Sequence, residues 1–345
     1  MIQLRNKVQW WLTLLFCLMP CMVLGQSTVW GIVRDSLSGE PLPFATVYVN
    51  GSTKGTITDD DGLFELRNVH FPSTIVFSFV GYRTQVLDLD ADPGTLQIKL
   101  TASNNLPEVV ITDSSEREMY LNYFRTMFLG VDRWGRNATI RNEDIIMFQS
   151  FGADGSDTVF KAWAGKPIII DLPLLGYELD VDLVDFTVKR TGGRTVCDIL
   201  GYFFYKPYST ASVPKTSKFE RNRKSAYYNS SMHFLRSLYQ DRLAENGYIL
   251  SMSDSVTVTR TGDGRMQICG PDDRILKIQY FHKLDGSPLD LTTHSSGLHM
   301  YSESGMHLLK DTCTVLSNGT VTDNSIRFTG EISQKRVGAT LPVMQ

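Results

Sequence analysis

The chain has 345 residues, 42% apolar and 21% charged, with a formal net charge of −3. That length allows two domains with ordinary cores, and that composition excludes a mainly disordered chain. The mild acidity argues against a general binder of nucleic acid or of anionic membranes.

The first 25 residues are a different material. Arg5 and Lys7 make a basic start, and residues 10–24 are almost wholly apolar. A small residue ends the run, so the reading is a secretory signal cleaved between Gly25 and Gln26. The run falls short of the roughly 20 residues that a membrane span needs. Its loss removes two basic and no acidic residues and takes the net charge from −3 to −5. No later apolar segment is long enough to span, so no integral membrane span is expected after signal removal. Cys197, Cys269 and Cys313 then remain. An oxidising compartment allows one disulfide and one leftover thiol; the plainer reading is three separate buried cysteines.

Residues 27–112 read as a first domain. Short strand candidates follow one another at 29–34, 45–49, 55–58, 63–66, 74–80, 84–89 and 95–100, with turn residues between them. Asp61-Gly62, between two alternating runs, is a hairpin signal, because Gly takes the positive φ that a tight turn needs. Phe64 and Leu66 share one face of their strand, and Ile75, Phe77 and Phe79 share one face of the next. The pattern predicts a Greek-key β-sandwich. Asp59, Asp60 and Asp61 are read as turn residues, since adjacent residues point apart and make a poor calcium cage.

Here the residues carry a resemblance. Val33-Arg34-Asp35, Gly39-Glu40-Pro41-Leu42-Pro43, Ala45-Thr46-Val47, Gly55-Thr56, Thr58-Asp59, Gly62-Leu63-Phe64 and Gly81-Tyr82 fall in the order and spacing of the carboxypeptidase-like regulatory domain. That family is a transthyretin-like sandwich common in envelope proteins of Bacteroidota. The resemblance implies an accessory module without peptidase activity, in an exported protein of the periplasm or outer membrane. The segment 106–112, LPEVVIT, resembles the TonB-box-like stretch that follows this domain in outer-membrane receptors; its plainer reading is a last strand plus linker.

Residues 113–345 are read as an α+β domain with a large antiparallel sheet. Ser115 with Glu118 is a capping-box pattern, and Tyr120, Tyr123, Phe124, Met127 and Phe128 recur at helical spacing, which predicts a helix over 116–129 ended by Gly130. In the segment 177–188, Leu179, Val181, Leu183 and Phe186 form an apolar strand face. Pro214 marks the stretch around it as a loop, and 231–246 reads as the clearest helix, with Leu235, Leu238, Tyr239 and Leu243 on its apolar face and Gly247 at its end. Two blocks, 162–176 and 222–238, resemble an uncharacterised domain that follows the regulatory-like module in such envelope proteins, which implies compartment and architecture but no mechanism.

The candidate binding residues are Arg221, Arg223 and Lys224 before that helix and His233 and Arg236 on it. Together they could hold a phosphate, a carboxylate or an acidic glycan. The plain alternative is a solvated loop leading into a helix with a polar face. No P-loop, HExxH, GxSxG or helix-opening GxGxxG is present, and no metal or cofactor is expected. The reading is therefore a non-catalytic envelope protein that binds a protein or glycan partner. A hydrolase acting on envelope glycan or peptide near His233 is one alternative, and an accessory to TonB-dependent uptake is another.

Overall fold

The computed structural model describes residues 27–103, 114–151, 158–209, 213–252, 255–271, 274–293, 300–321 and 325–343. The signal segment with Gly25 and Gln26, and the segment 106–112, lie outside the described residues.

Seven strands build the first unit: β1 (Ser27–Asp35), β2 (Thr46–Val49), β3 (Gly55–Ile57), β4 (Leu63–Val69), β5 (Ser73–Ser78), β6 (Gln85–Leu89) and β7 (Thr95–Leu100). They form two facing sheets, β4-β1-β7 and β3-β2-β5-β6, with β1 and β7 parallel. Alternation places Phe64, Leu66, Ile75 and Phe77 between the sheets as expected, and the Phe64 and Phe77 rings meet edge to face at 5.7 Å.

The Asp61-Gly62 turn forms, but it does not close a hairpin. It carries the chain from one sheet to the other, since β3 pairs β2 and β4 pairs β1. Asp59 Oδ1 accepts the N–H groups of Asp61 (3.1 Å) and Leu63 (2.8 Å), so the turn is capped locally. Gly62 is pressed against β1: a Cβ there would lie 2.6 Å from the Val33 carbonyl oxygen, and the Val33 N–H donates to the Gly62 carbonyl at 2.8 Å. That close approach pulls the outgoing strand away from its neighbour in sequence. Buried Thr58 holds the other side, accepting from the Ala45 N–H and donating to the Leu42 carbonyl.

Residues beyond the sandwich build two further hydrophobic clusters. One is organised by α1 (Ser114–Leu129), β8 (Thr139–Ile140), β9 (Ile146–Phe151), β10 (Thr158–Ala164), β11 (Ile168–Leu172), β12 (Tyr177–Thr191) and β13 (Arg194–Pro207). The sheet order is β8-β11-β12-β10-β9, and β13 pairs the free side of β12. Phe124 and Phe128 of α1 are fully buried, Phe124 against Phe148 and Phe186 and Phe128 against Phe186, and Phe160 packs on Phe148 and Phe186 in turn. A register shift between Leu183 and Asp185 explains why the apolar face of β12 skips from Leu183 to Phe186.

The second cluster follows α2 (Val213–Tyr227). It contains α3 (Ser231–Tyr239), the sheet of β14 (Tyr248–Ser251), β17 (Ile275–His282), β18 (Met300–Leu308) and β20 (Ile326–Gly330), and the sheet of β15 (Thr257–Arg260), β16 (Arg265–Cys269) and β19 (Thr312–Leu316). Cys197, Cys269 and Cys313 are all free thiols, so no disulfide links these residues.

Two expectations are corrected here. The basic stretch around residues 215–224 is helix, not loop, because Pro214 falls in the first turn of α2, where its missing N–H leaves no bond unmade. The following helix ends at Tyr239 and not at 246. Asp241 takes φ +59°, and Arg260 from β15 donates to the carbonyls of Leu238 (2.7 Å) and Tyr239 (2.6 Å), closing the helix from a distant strand.

Candidate functional site

The five predicted binding residues do not converge. Arg221 and Lys224 are exposed on α2. Arg223 turns inward: its Nε donates to the Leu175 carbonyl at 2.8 Å, and its guanidinium lies 4.1 Å from the centre of the Tyr177 ring. With Asn222 Nδ2, which donates to the Leu174 carbonyl at 2.7 Å, it pins the turn between β11 and β12. Arg236 Nε donates to the Asn318 carbonyl at 2.8 Å.

His233 is 2% exposed. Its Nδ1 accepts the Asn229 N–H at 3.2 Å and lies 2.8 Å from Tyr248 Oη, so the neutral ring carries its proton on Nε2. The rings of Tyr227, Tyr228, Tyr248 and Tyr280 surround it. Burial lowers its pKa to about 4, helped by the charges of Lys335 and Arg236 and opposed by a hydrogen bond to Asn246. His233 is therefore neutral near pH 7 and supplies no positive charge to an anion.

A different set of residues carries the polar chemistry of the fold. On β12, Glu178, Asp180 and Asp182 alternate with buried Tyr177, Leu179 and Val181, so three carboxylates share one face. Such a row repels itself unless something answers it. Lys206 of β13 answers the first two, pairing with Glu178 and Asp180. Asp182 is answered by the sandwich. Its Oδ2 accepts from Tyr48 Oη at 2.6 Å, and its Oδ1 accepts from Ser78 Oγ at 2.9 Å and Thr84 Oγ1 at 3.2 Å. Burial and the neighbouring carboxylate push the Tyr48 phenol far above its usual range, so it stays a donor.

Backbone bonds extend this latch. The Gly51 N–H donates to the Phe203 carbonyl at 2.7 Å, and the Tyr205 N–H donates to the Ser52 carbonyl at 3.0 Å. Phe204 stacks on Tyr48 with ring centres 5.0 Å apart. Gly55 makes room for it, since a Cβ there would sit 2.3 Å from the Phe204 ring. Gly55→Ala is expected to cost about 1–2 kcal/mol through overpacking, read as a lower denaturant midpoint.

Behind the latch lies a cavity of about 600 Å³, walled by the sandwich, β13, α3 and the chain near Lys335. Among the described residues, Asp88 and Lys335 are its charged lining groups. Asp88 accepts from Thr74 Oγ1 at 2.6 Å. Lys335 Nζ donates to the carbonyls of Ala226 (2.9 Å), Ser225 (3.3 Å) and Tyr228 at the end of α2, and burial pushes its ammonium down to about 8. Among the described residues, no group of three or more His, Cys, Asp and Glu side chains is arranged to hold a metal ion.

The signal for the latch was present in the sequence as Glu178-Leu-Asp180-Val-Asp182, acids at strand period opposite an apolar face. Nothing local says that the answering hydroxyls come from residues 98 to 134 positions away.

Comparison with known proteins places the first unit. The family model for the CarboxypepD_reg-like domain matches residues 29–111. The TonB-dependent receptor SusC of Bacteroides thetaiotaomicron is 50% identical over 66 residues, 19% of this chain and 6% of that receptor. The TonB-dependent receptor P26 of Formosa agariphila is 38% identical over 76 residues, 22% of this chain and 8% of that receptor. The chain thus spans less than a tenth of these curated relatives. A 9R-lipoxygenase from Cyanothece PCC8801 aligns at 11% identity over 63% of this chain and 49% of that chain, with a TM-score of 0.20. No helix among the described residues is long and apolar enough to cross a membrane. Residues 29–111 are a CarboxypepD_reg-like domain, joined in this chain to a sheet-rich body.

Proposed function

We propose that this chain is a non-catalytic envelope protein in which the CarboxypepD_reg-like domain is an accessory module, fixed to a larger body that binds a protein or glycan partner. The Asp182 latch carries the reading. A carboxylate answered by three hydroxyls from the other unit, with a stacked aromatic pair beside it, holds the two units in one orientation. That suits a scaffold that presents a surface. The likeness of the domain to segments of TonB-dependent receptors, and the signal pattern in the first 25 residues, support the compartment. The cavity behind the latch has the size of a small binding cleft, and its charged groups Asp88 and Lys335 are held by Thr74 and by the carbonyls at the end of α2.

Envelope fractionation followed by co-purification of the full chain tests this. The expected result is recovery from the envelope fraction, with a partner retained through washing. Recovery from the cytosol with an intact N-terminus would sink it.

The receptor likeness also favours a second reading, an accessory to TonB-dependent uptake acting through residues 106–112. Deleting those residues is expected to abolish capture by TonB; unchanged capture ends this reading.

A further inference from the structure

We propose that the seam between α1, the tip of the β12–β13 hairpin and the end of β20 is a binding site for a small oxyanion, a phosphate, sulfate or carboxylate group. It lies away from the sandwich and stands independently of the accessory role. The cavity there is about 540 Å³. Three guanidinium groups, Arg190, Arg327 and Arg336, line it with the hydroxyls of Thr195, Thr329 and Ser333, and no described lining residue is Asp or Glu. Arg327 is already neutralised: its Nε and Nη2 donate to the two oxygens of Asp198 at 2.8 and 2.9 Å. Arg190 and Arg336 have no carboxylate partner among the described residues.

Three further features make this more than a loose basic patch. Gly130, at φ +101°, brings the end of α1 so close that an added Cβ would lie 3.2 Å from Arg336 Cβ, so the stem of that arginine is held at the seam. Cys197 in the same wall stays a neutral thiol, because burial raises its pKa to about 11, so it cannot cancel the arginine charge near neutral pH. The hairpin tip adds Lys189 and Arg194 and carries no acidic residue from Thr187 to Val196. A positive mouth on a net-acidic chain attracts small anions, and two planar guanidinium forks match the paired oxygens of these groups.

Isothermal titration of the full chain at low ionic strength, with inorganic phosphate, sulfate and acetate as separate probes, tests the site. At least one probe is expected to bind with Kd near 1 mM or tighter, roughly −4 kcal/mol. The tightest probe shows whether a tetrahedral or a planar oxyanion is preferred. Arg336→Gln and Arg190→Gln are each expected to weaken it about tenfold, by removal of one charge-assisted contact. Lys166→Gln, exposed and outside the seam, removes the same charge and is expected to leave binding unchanged. If Arg336→Gln loses its native circular dichroism, Arg190→Gln on the exposed hairpin tip decides. No heat with any probe, equal binding by the arginine variants, or an equal loss in Lys166→Gln would each overturn the proposal.

Discussion

Replacing Asp182 with alanine is expected to destabilise the chain by about 3–5 kcal/mol and to make the sandwich unfold separately from the body. Each hydrogen bond to a charged acceptor contributes roughly 1.5–3 kcal/mol, and the loss is largest where the donor is left buried without a partner. Tyr48 is 1% exposed and Ser78 is 7% exposed, so neither hydroxyl can turn to bulk water once the carboxylate is gone. Thr84 is less buried and recovers more easily. Contributions at one carboxylate are coupled and do not simply add, which keeps the expected total below their sum. Asp182→Asn retains one oxygen for Tyr48 and offers an amide to hydroxyls that can rotate to accept. Its loss is expected to be smaller, about 1–2 kcal/mol. Differential scanning calorimetry reads both effects. The native chain is expected to show coupled unfolding, and Asp182→Ala two resolved transitions. One unshifted transition in Asp182→Ala would mean that the latch contributes nothing to holding the units together.

How far the sequence shows this arrangement differs from one unit to the next. In the sandwich, strand alternation and turn residues act within a few positions, so Phe64, Leu66, Ile75 and Phe77 could be assigned to the core from spacing alone. What spacing misses is the partner of each strand. Asp61-Gly62 makes a tight turn in either topology, and the choice between hairpin and sheet switch is made by the contact of Gly62 with Val33. Helix ends show the same division. The stripe Leu235, Leu238 and Leu243 continues past Tyr239, yet the backbone turns at Asp241 because Arg260 caps the carbonyls from a strand 21 residues on. The inward face of α2 was hidden because it consists of Phe219, Asn222, Arg223 and Ala226, which is too polar to read as a stripe. A side chain such as Arg223, whose charge suggests solvent or an anion, can spend its donor on a buried carbonyl and its plane on an aromatic ring. The five basic candidates were therefore identifiable as a cluster in sequence but not as a dispersed set in space.

Lowering the pH from 7 to 5 is expected to destabilise the chain by about 2 kcal/mol through His233 alone. In the folded state its pKa is lowered from 6.5 to about 4. Between these values the unfolded chain binds a proton that the folded chain excludes, so stability falls as pH falls through this window. The contribution is fully present above about pH 6.5 and reaches a loss of about 3 kcal/mol once the pH is below about 4. The cause is geometric. The ring is enclosed by Tyr227, Tyr228, Tyr248 and Tyr280, its Nδ1 is already an acceptor, and the charges facing it are those of Lys335 and Arg236. A proton on Nδ1 would remove the acceptor for the Asn229 N–H and place a third positive charge beside two others. Asp35, Asp171 and Asp263 also have lowered values, but as acids already below 3.8 they lose their contributions mostly at lower pH than the histidine does. His233→Gln keeps a polar acceptor without a titrating ring. It is expected to be less stable than the native chain at pH 7, through looser packing, and to show a much smaller change between pH 7 and pH 5. Urea midpoints of both proteins at the two pH values measure the difference. Equal acid sensitivity in the two would mean that His233 is protonated in the native fold, and would return it to the list of groups able to meet an anion.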